Sequence, residues 1–139
     1  MSAALLAVDW GLKKIGLATA DAARILVSPQ KVYVRKKNVR PWKPDADEVK
    51  HLRELIEAYD VGAVVLGLPL NANGTESSSS TQTRDLAKLL QESLGLPVHL
   101  TSEVLTSWAH RGQAGGLDDS LAAVTILQDF IDNENRTPT

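Results

Sequence analysis

With 139 residues, 43% of them hydrophobic, the chain has the size and composition of one compact domain, residues 1–139, able to bury its own core. The absence of cysteine excludes a disulfide framework, a thiolate metal site and a thiol nucleophile, and a formal net charge of -2 excludes coating of nucleic acid by bulk positive charge. No apolar run approaches a membrane span, and Ala3 to Val8 is too short for a secretory core and is cut by Asp9, so a soluble cytoplasmic protein with no membrane partner is expected.

Taken in chain order, Leu5, Ala7 and Asp9 alternate with Leu6, Val8 and Trp10 at the period of a strand, so Asp9 prolongs an apolar face. Gly11, expected at positive φ, turns the chain beside Lys13 and Lys14, and Ile15 to Ala20 returns antiparallel. A buried carboxylate without a partner costs several kcal/mol. Asp9 therefore reads either as a turn residue before Gly11 or as an acid with a cation, a donor network or a catalytic task. Ile25 to Val34 reads as a third strand, left through the basic segment RKKNVRPWKP. Asp45 or Asp47 then caps a helix on which Val49, Leu52, Leu55, Ile56 and Tyr59 recur at helical spacing, ending near Asp60 and Gly62.

Ala63 to Leu66 is a continuous apolar run, the pattern of a parallel strand covered on both faces. Gly67 to Glu76 reads as a loop, and the serine run Ser77 to Ser80 as a mobile patch. Leu86, Leu89, Leu90 and Leu94 mark a second helix closed by Gly95 and Pro97, and Val98 to Glu103 gives a fifth strand with His99, Thr101 and Glu103 on one face. LTSWAHRGQ (105–113) reads as a short helix, followed by an Ala-Gly-Gly turn and a final helix from about Asp118 to Asn133 with a frayed tail. On that helix Asp119, Ala122, Ala123, Ile126 and Phe130 share a stripe, which makes Asp119 the inward acid and leaves Asp118 with Leu121 and Thr125. The order predicts an α/β fold with a mixed five-stranded sheet, the first three strands an antiparallel meander and the last two added by crossover helices.

If strands one, four and five are parallel neighbours, Asp9, Glu103 and Asp119 meet at the edge where open α/β sheets hold ligands. Taken singly, Asp119 also reads as a helix N-cap and Glu103 as a surface acid at a strand end. Together they form a set of hard oxygens without sulfur, which favours Mg²⁺ or Mn²⁺, and a pair of such ions suits phosphodiester hydrolysis in nucleic acid. Lys13, Lys14, Arg35, Lys36, Lys37 and Arg40 are candidates for phosphate contact, each equally readable as a solvated charge. Of the tryptophans, Trp10 faces away from Asp9 toward the core, and Trp42 in its basic, proline-bounded loop is the candidate for stacking on an unpaired base, whether RNA or DNA. Asn71, Asn73 and Thr75 suit a phosphate-binding loop, and His99 is a candidate base or ligand beside Glu103.

The strings VDWGLKKIGLATAD (Val8 to Asp21), VVLGLPLNANGTE (Val64 to Glu76) and DSLAAVTILQDFI (Asp119 to Ile131) resemble the first hairpin, the glycine-proline loop and the last helix of the YqgF/RuvX family of Holliday-junction resolvases and small-subunit rRNA precursor nucleases. The resemblance covers nearly the whole chain and implies an RNase H-like fold, with acids matching Asp9, Glu103 and Asp119 acting through a divalent metal. Where the family's strand-five motif usually reads Asp-Glu-Arg-Leu-Thr-Thr, this chain has Ser102, Glu103, Val104, Leu105, Thr106 and Ser107, so the flanking acid and arginine are gone. Asn73 stands where an Asp is common, and the segment before Asp119 is shorter than in most members. These departures leave a second class open, a catalytically weakened or inactive RNase H-like module that binds nucleic acid or protein. The hairpin also fits the Asp-x-Gly-x-x-Lys-x-Gly phosphate turn of actin-like kinases, but that fold needs two related domains, which 139 residues cannot supply. A resolvase making two symmetric cuts needs a homodimer, whereas a trimming nuclease does not.

Overall fold

A computed structural model of the chain describes residues 3–36, 40–104 and 119–136, less the side chains of Val104, Asp119, Ser120 and Arg136. Strands β1 (Ala4–Trp10) and β2 (Lys14–Ala20) form the expected hairpin, with Asp9 opposite Gly16. Gly11 closes it for a different reason from the one expected. Its φ is not positive; instead its N–H donates to the Lys14 carbonyl at 2.9 Å, and a Cβ at Gly11 would lie 2.6 Å from that oxygen. Glycine is demanded here by close approach.

The third strand of the sequence reading is broken into β3 (Val27–Pro29) and β4 (Tyr33–Val34), both antiparallel to β2. Asp21 captures the start of that stretch, its carboxylate accepting from the amides of Ile25 and Leu26 at 2.8 and 3.0 Å. This local turn competes with the ladder and leaves the two side chains 83% and 64% exposed. The sheet therefore has six strands in place of five, ordered β3-β2-β1-β5-β6 with β4 also on β2. Its antiparallel start and two parallel additions are the mixed α/β architecture that the sequence implies.

Helix α1 (Ala46–Ala58) starts at Asp45, whose carboxylate accepts from the Glu48 amide while the Glu48 side chain returns to the Asp45 amide, a capping box that satisfies two end donors. Strand β5 (Val61–Leu70) runs parallel to β1 and continues four residues past the expected end at Leu66. Pairing with β1 stops at Val8↔Leu66 while pairing with β6 (Val98–Val104) continues to Leu70↔Val104. Pro69 thus lies where β5 has outrun β1, a position that tolerates a missing N–H, and the Ser80 hydroxyl donates to its carbonyl.

The serine run is not a mobile patch. Ser77 caps α2 (Ser78–Leu94), Ser80 is fully buried in its first turn, and Gly95 ends it at φ 71°. The final helix, α3 (Asp119–Arg136), outlasts its expected end, and Glu134 in the supposedly frayed tail pairs with Arg24 at 3.0 Å. The sheet alternates cleanly between two cores. Leu6, Val8, Trp10, Ile15, Leu17 and Leu66 pack under α1 and α2, and Leu5, Ala7, Ala18, Ala20 and Val65 pack under Ala123, Ile126 and Leu127 of α3. No helix among the described residues is long and apolar enough to cross a membrane. The short helix expected over 105–113, the Ala-Gly-Gly turn and Asp118 lie outside the described residues.

Candidate active site

Face and level are set by the registers. Leu5 and Ala7 of β1 pack against α3, so Asp9, two residues on, belongs to that face. On β6, Val98 and Leu100 pack toward α1 and α2, while His99 lies with its ring 5.3 Å from that of Phe130 on α3. Thr101 and Glu103 therefore share the α3 face with Asp9. Ala7 pairs with Val65, which puts Gly67 beside Asp9, and Glu103 pairs with Pro69 one pleat further along. Asp9 is half-buried, with Gly16 opposite it on β2 and Gly67 one residue beyond the last β1–β5 pair, so neither directly neighbouring position carries a side chain. The sequence suggests Gly67 and Gly74 as loop glycines at special backbone angles, which holds for Gly74 and not for Gly67; strand alternation, carried from Ala18 back to Gly16 and from Val65 on to Gly67, is the signal that places both glycines beside Asp9.

Helix α3 runs antiparallel to β1 and closes the third side. Its far end is fixed at the amino edge of the sheet, because Arg24 holds Glu134 and also donates to the Ala3 carbonyl just before β1. Its first residue, Asp119, consequently lies toward the carboxyl edge, where Asp9 and Glu103 stand. Glu103 is 6% exposed, with Oε1 shielded from solvent. Such burial of a carboxylate is costly without compensating charge or donors, and it raises the strength of any electrostatic contact made there. Among the described residues no three His, Asp or Glu side chains cluster closely enough to hold one ion. His99, four residues before Glu103 and roughly 13 Å down the strand, is exposed and occupied by Phe130, so it does not assist Glu103.

The basic candidates separate. Lys13, Lys14 and Arg40 are exposed, Lys13 and Lys14 at the hairpin tip on the carboxyl edge. Lys36 is also exposed but pairs with Asp47, whose hydrogen bond raises the ammonium pKa above its ordinary value. Lys37 lies outside the described residues. Arg35 is a correction: it is buried, and its guanidinium meets Glu48 at 2.7 Å and the carbonyls of Gly11, Pro41 and Arg40, so it presents nothing to a phosphate. Trp10 is buried as expected and donates from Nε1 to the Pro41 carbonyl, and Trp42 is half-buried against the same core.

The loop after β5 is folded on itself. Asn71 Nδ2 donates to Thr75 Oγ1 at 3.1 Å, and Thr75 donates from its hydroxyl and amide to Asn73 Oδ1 at 2.6 and 3.1 Å, around Gly74 at φ 83°. These side chains shape the loop first, leaving exposed Asn73 and Thr75 at its surface. Arg84 of α2 grips Glu76 through two contacts of 2.9 and 2.8 Å, and that hydrogen bonding holds the Glu76 carboxyl below its ordinary 4.5.

The family model described as RuvX: Holliday junction resolvase matches residues 3–133. A protein of Dictyoglomus thermophilum named "Putative pre-16S rRNA nuclease" is 32% identical over 94% of this chain and 96% of its own length. A protein of the same name from Maridesulfovibrio salexigens is 35% identical over 91% and 96%. Among solved structures, Thermus thermophilus RuvC aligns over 88% of this chain and 90% of its own at 15% identity and a TM-score of 0.49. Since the family match runs through both acid-bearing strands and most of α3, and relatives above 30% identity span nearly the full length of both chains, the chain belongs to the RuvX family.

Proposed function

We propose that the protein is a divalent-metal-dependent nuclease that hydrolyses phosphodiester bonds, with the small-subunit rRNA precursor named for its relatives as the RNA substrate and branched or single-stranded DNA as the alternative. The observation that supports this reading best is the placement of Asp9 and Glu103 on one face and one edge of the sheet, beside Gly16 and Gly67 and toward the end where α3 begins. A substrate of that kind places the protein in the cytoplasm.

The donor set fits Mg²⁺ or Mn²⁺: carboxylate oxygens and no thiol. Asp9, Glu103 and Asp119 are the residues that would hold the ions. Such ions would supply an activated water and charge compensation for phosphodiester hydrolysis. The chain's own contributions are distinct. The half-buried Asp9 and nearly buried Glu103 act in a medium of reduced dielectric. Lys13 and Lys14 at the hairpin tip orient the phosphate backbone at the same edge. Cleaving a four-way junction at two symmetric points would require a homodimer, whereas trimming RNA would not.

The test is a cleavage panel with Mg²⁺ and Mn²⁺ in separate arms against single-stranded RNA, single-stranded and duplex DNA and a four-way junction. Cleavage of at least one substrate that vanishes in EDTA and returns when the metal is restored is expected. Tight, salt-sensitive binding with no cleavage in any arm contradicts the reading and favours a non-cutting module, to which the missing acid and arginine at Ser102 and Val104 already point.

A further inference from the structure

A second surface at the same edge, on the opposite layer, is built for a different task. The loop from Arg40 to Lys43 and the outer face of α2 flank an open groove of about 380 Å³, lined by Arg40, Trp42, Lys43, Gln82, Asp85 and Leu89. Its size lies in the range of small-ligand pockets. Both walls hang from the carboxyl edge that carries the acids. Trp10, the residue after Asp9, donates to the Pro41 carbonyl, and Ser80 at the start of α2 donates to the Pro69 carbonyl near the end of β5.

The loop wall is pinned from beneath. Arg35 donates to the carbonyls of Arg40 and Pro41 at 2.9 and 2.8 Å, so the backbone is fixed by groups facing inward. Trp42 rests on the core with its remaining surface in the groove. Among the described residues, the neighbouring cations Arg35, Lys36 and Arg84 are all paired. The side chains of Arg40, Trp42, Lys43, Gln82 and Asp85, by contrast, make no hydrogen bond or ion pair there. A rigid indole, two exposed cations on its own loop and two polar groups on the facing helix are thus left unspent around one cavity.

We infer that this groove binds a single unpaired nucleotide of the substrate strand. The base stacks on Trp42, its phosphates meet Arg40 and Lys43, and its amino edge donates to Asp85 or Gln82. The charge distribution selects this occupant. A bare anion gains from Arg40 and Lys43 but is repelled by Asp85, whereas a nucleotide carries a negative end for the loop and a donor edge for the helix. A duplex cannot offer a base to a concave site without unstacking it. Duplex binding is therefore excluded from the groove, and the enzyme takes strands, or strand segments, that are single at this point. The inference rests on the nuclease reading for its substrate, but the groove can be tested without cleavage.

Fluorescence anisotropy in EDTA, with labelled 12-nucleotide RNA and DNA single strands and the corresponding duplexes, decides it. Trp42→Leu, which keeps apolar packing, is expected to weaken single-strand binding between about 5-fold and 150-fold, the range of one lost base stack. Trp42→Phe is expected to recover most of that loss, and duplex binding is expected to stay within twofold. Abasic substitution at successive positions should weaken the native protein at one position and leave Trp42→Leu indifferent there. Equal weakening of single strand and duplex by Trp42→Leu, or no weakening of either, overturns the groove. A native chain that binds single strands through Trp42 as described but cleaves no substrate with Mg²⁺ or Mn²⁺ would overturn the nuclease reading alone, so the two failures are distinguishable.

Discussion

Arg35→Ala is expected to lower the free energy of unfolding by about 3–5 kcal/mol, the cost of stranding one member of a buried ion pair. The Arg35 and Glu48 side chains are 1% and 0% exposed, and Arg35 is held by Glu48 on one side and by the carbonyls of Gly11, Arg40 and Pro41 on the other, with Trp10 beneath its cationic carbon at 4.7 Å. Removing the guanidinium leaves a carboxylate out of water and takes one donor from each of three carbonyls, of which Pro41 keeps Trp10 Nε1 and Arg40 keeps the Lys43 amide. Arg35→Lys does not rescue the site, because an ammonium has no planar fork to span partners on two sides. The paired exchange Arg35→Met with Glu48→Leu is expected to recover most of the loss, since it removes both charges together. Urea denaturation followed by circular dichroism measures all four chains, and a loss below about 1 kcal/mol for Arg35→Ala would refute the assignment of this residue as the tie between the hairpin that carries Asp9 and the loop that carries Trp42.

Asp9→Asn is expected to reduce metal-dependent cleavage by more than the roughly 10–100-fold that loss of an outer-shell partner costs, while leaving the chain folded. The two effects separate because the substitution changes the charge of Asp9 and not its size. Asp9 pairs with Gly16 across the hairpin, and asparagine keeps the shape of the side chain while removing its charge. Asp9 and Glu103 share one face and one edge of the sheet with β5 between them, so neutralising Asp9 removes a like charge and is expected to hold or raise stability in metal-free buffer. kcat/KM on the best substrate and the urea midpoint of the same preparation report the two quantities. A destabilised Asp9→Asn chain with near-native cleavage would make Asp9 a structural residue.

Much of this arrangement is written in local patterns. The alternation from Leu5 to Trp10 and from Val98 to Glu103 already places Asp9 and Glu103 on matching faces, and the alanine-rich stripe of α3 identifies the helix that covers them. What the sequence conceals depends on partners far along the chain. Gly67 to Leu70 has the composition of a loop, yet it is strand because β6 offers it a ladder more than thirty positions later. Arg35 looks like one more cation in a basic run, and only the fold reveals that Glu48, itself a capping residue of α1, waits beside it. The serines from Ser77 to Ser80 have low complexity as a string, but their hydrogen bonds are those of a helix start. Conversely, the apolar pair Ile25 and Leu26 suggests a strand and is instead held outside by Asp21.

The central claim, that side chains from both ends of the chain share a divalent cation at the carboxyl edge, is tested most directly by anomalous diffraction from crystals grown with Mn²⁺. The account predicts a manganese peak within about 2.0–2.6 Å of carboxylate oxygens of Asp9 and Asp119, with Glu103 in the same shell or one water removed. Manganese bound elsewhere, with these three carboxylates turned to separate surroundings, would contradict it.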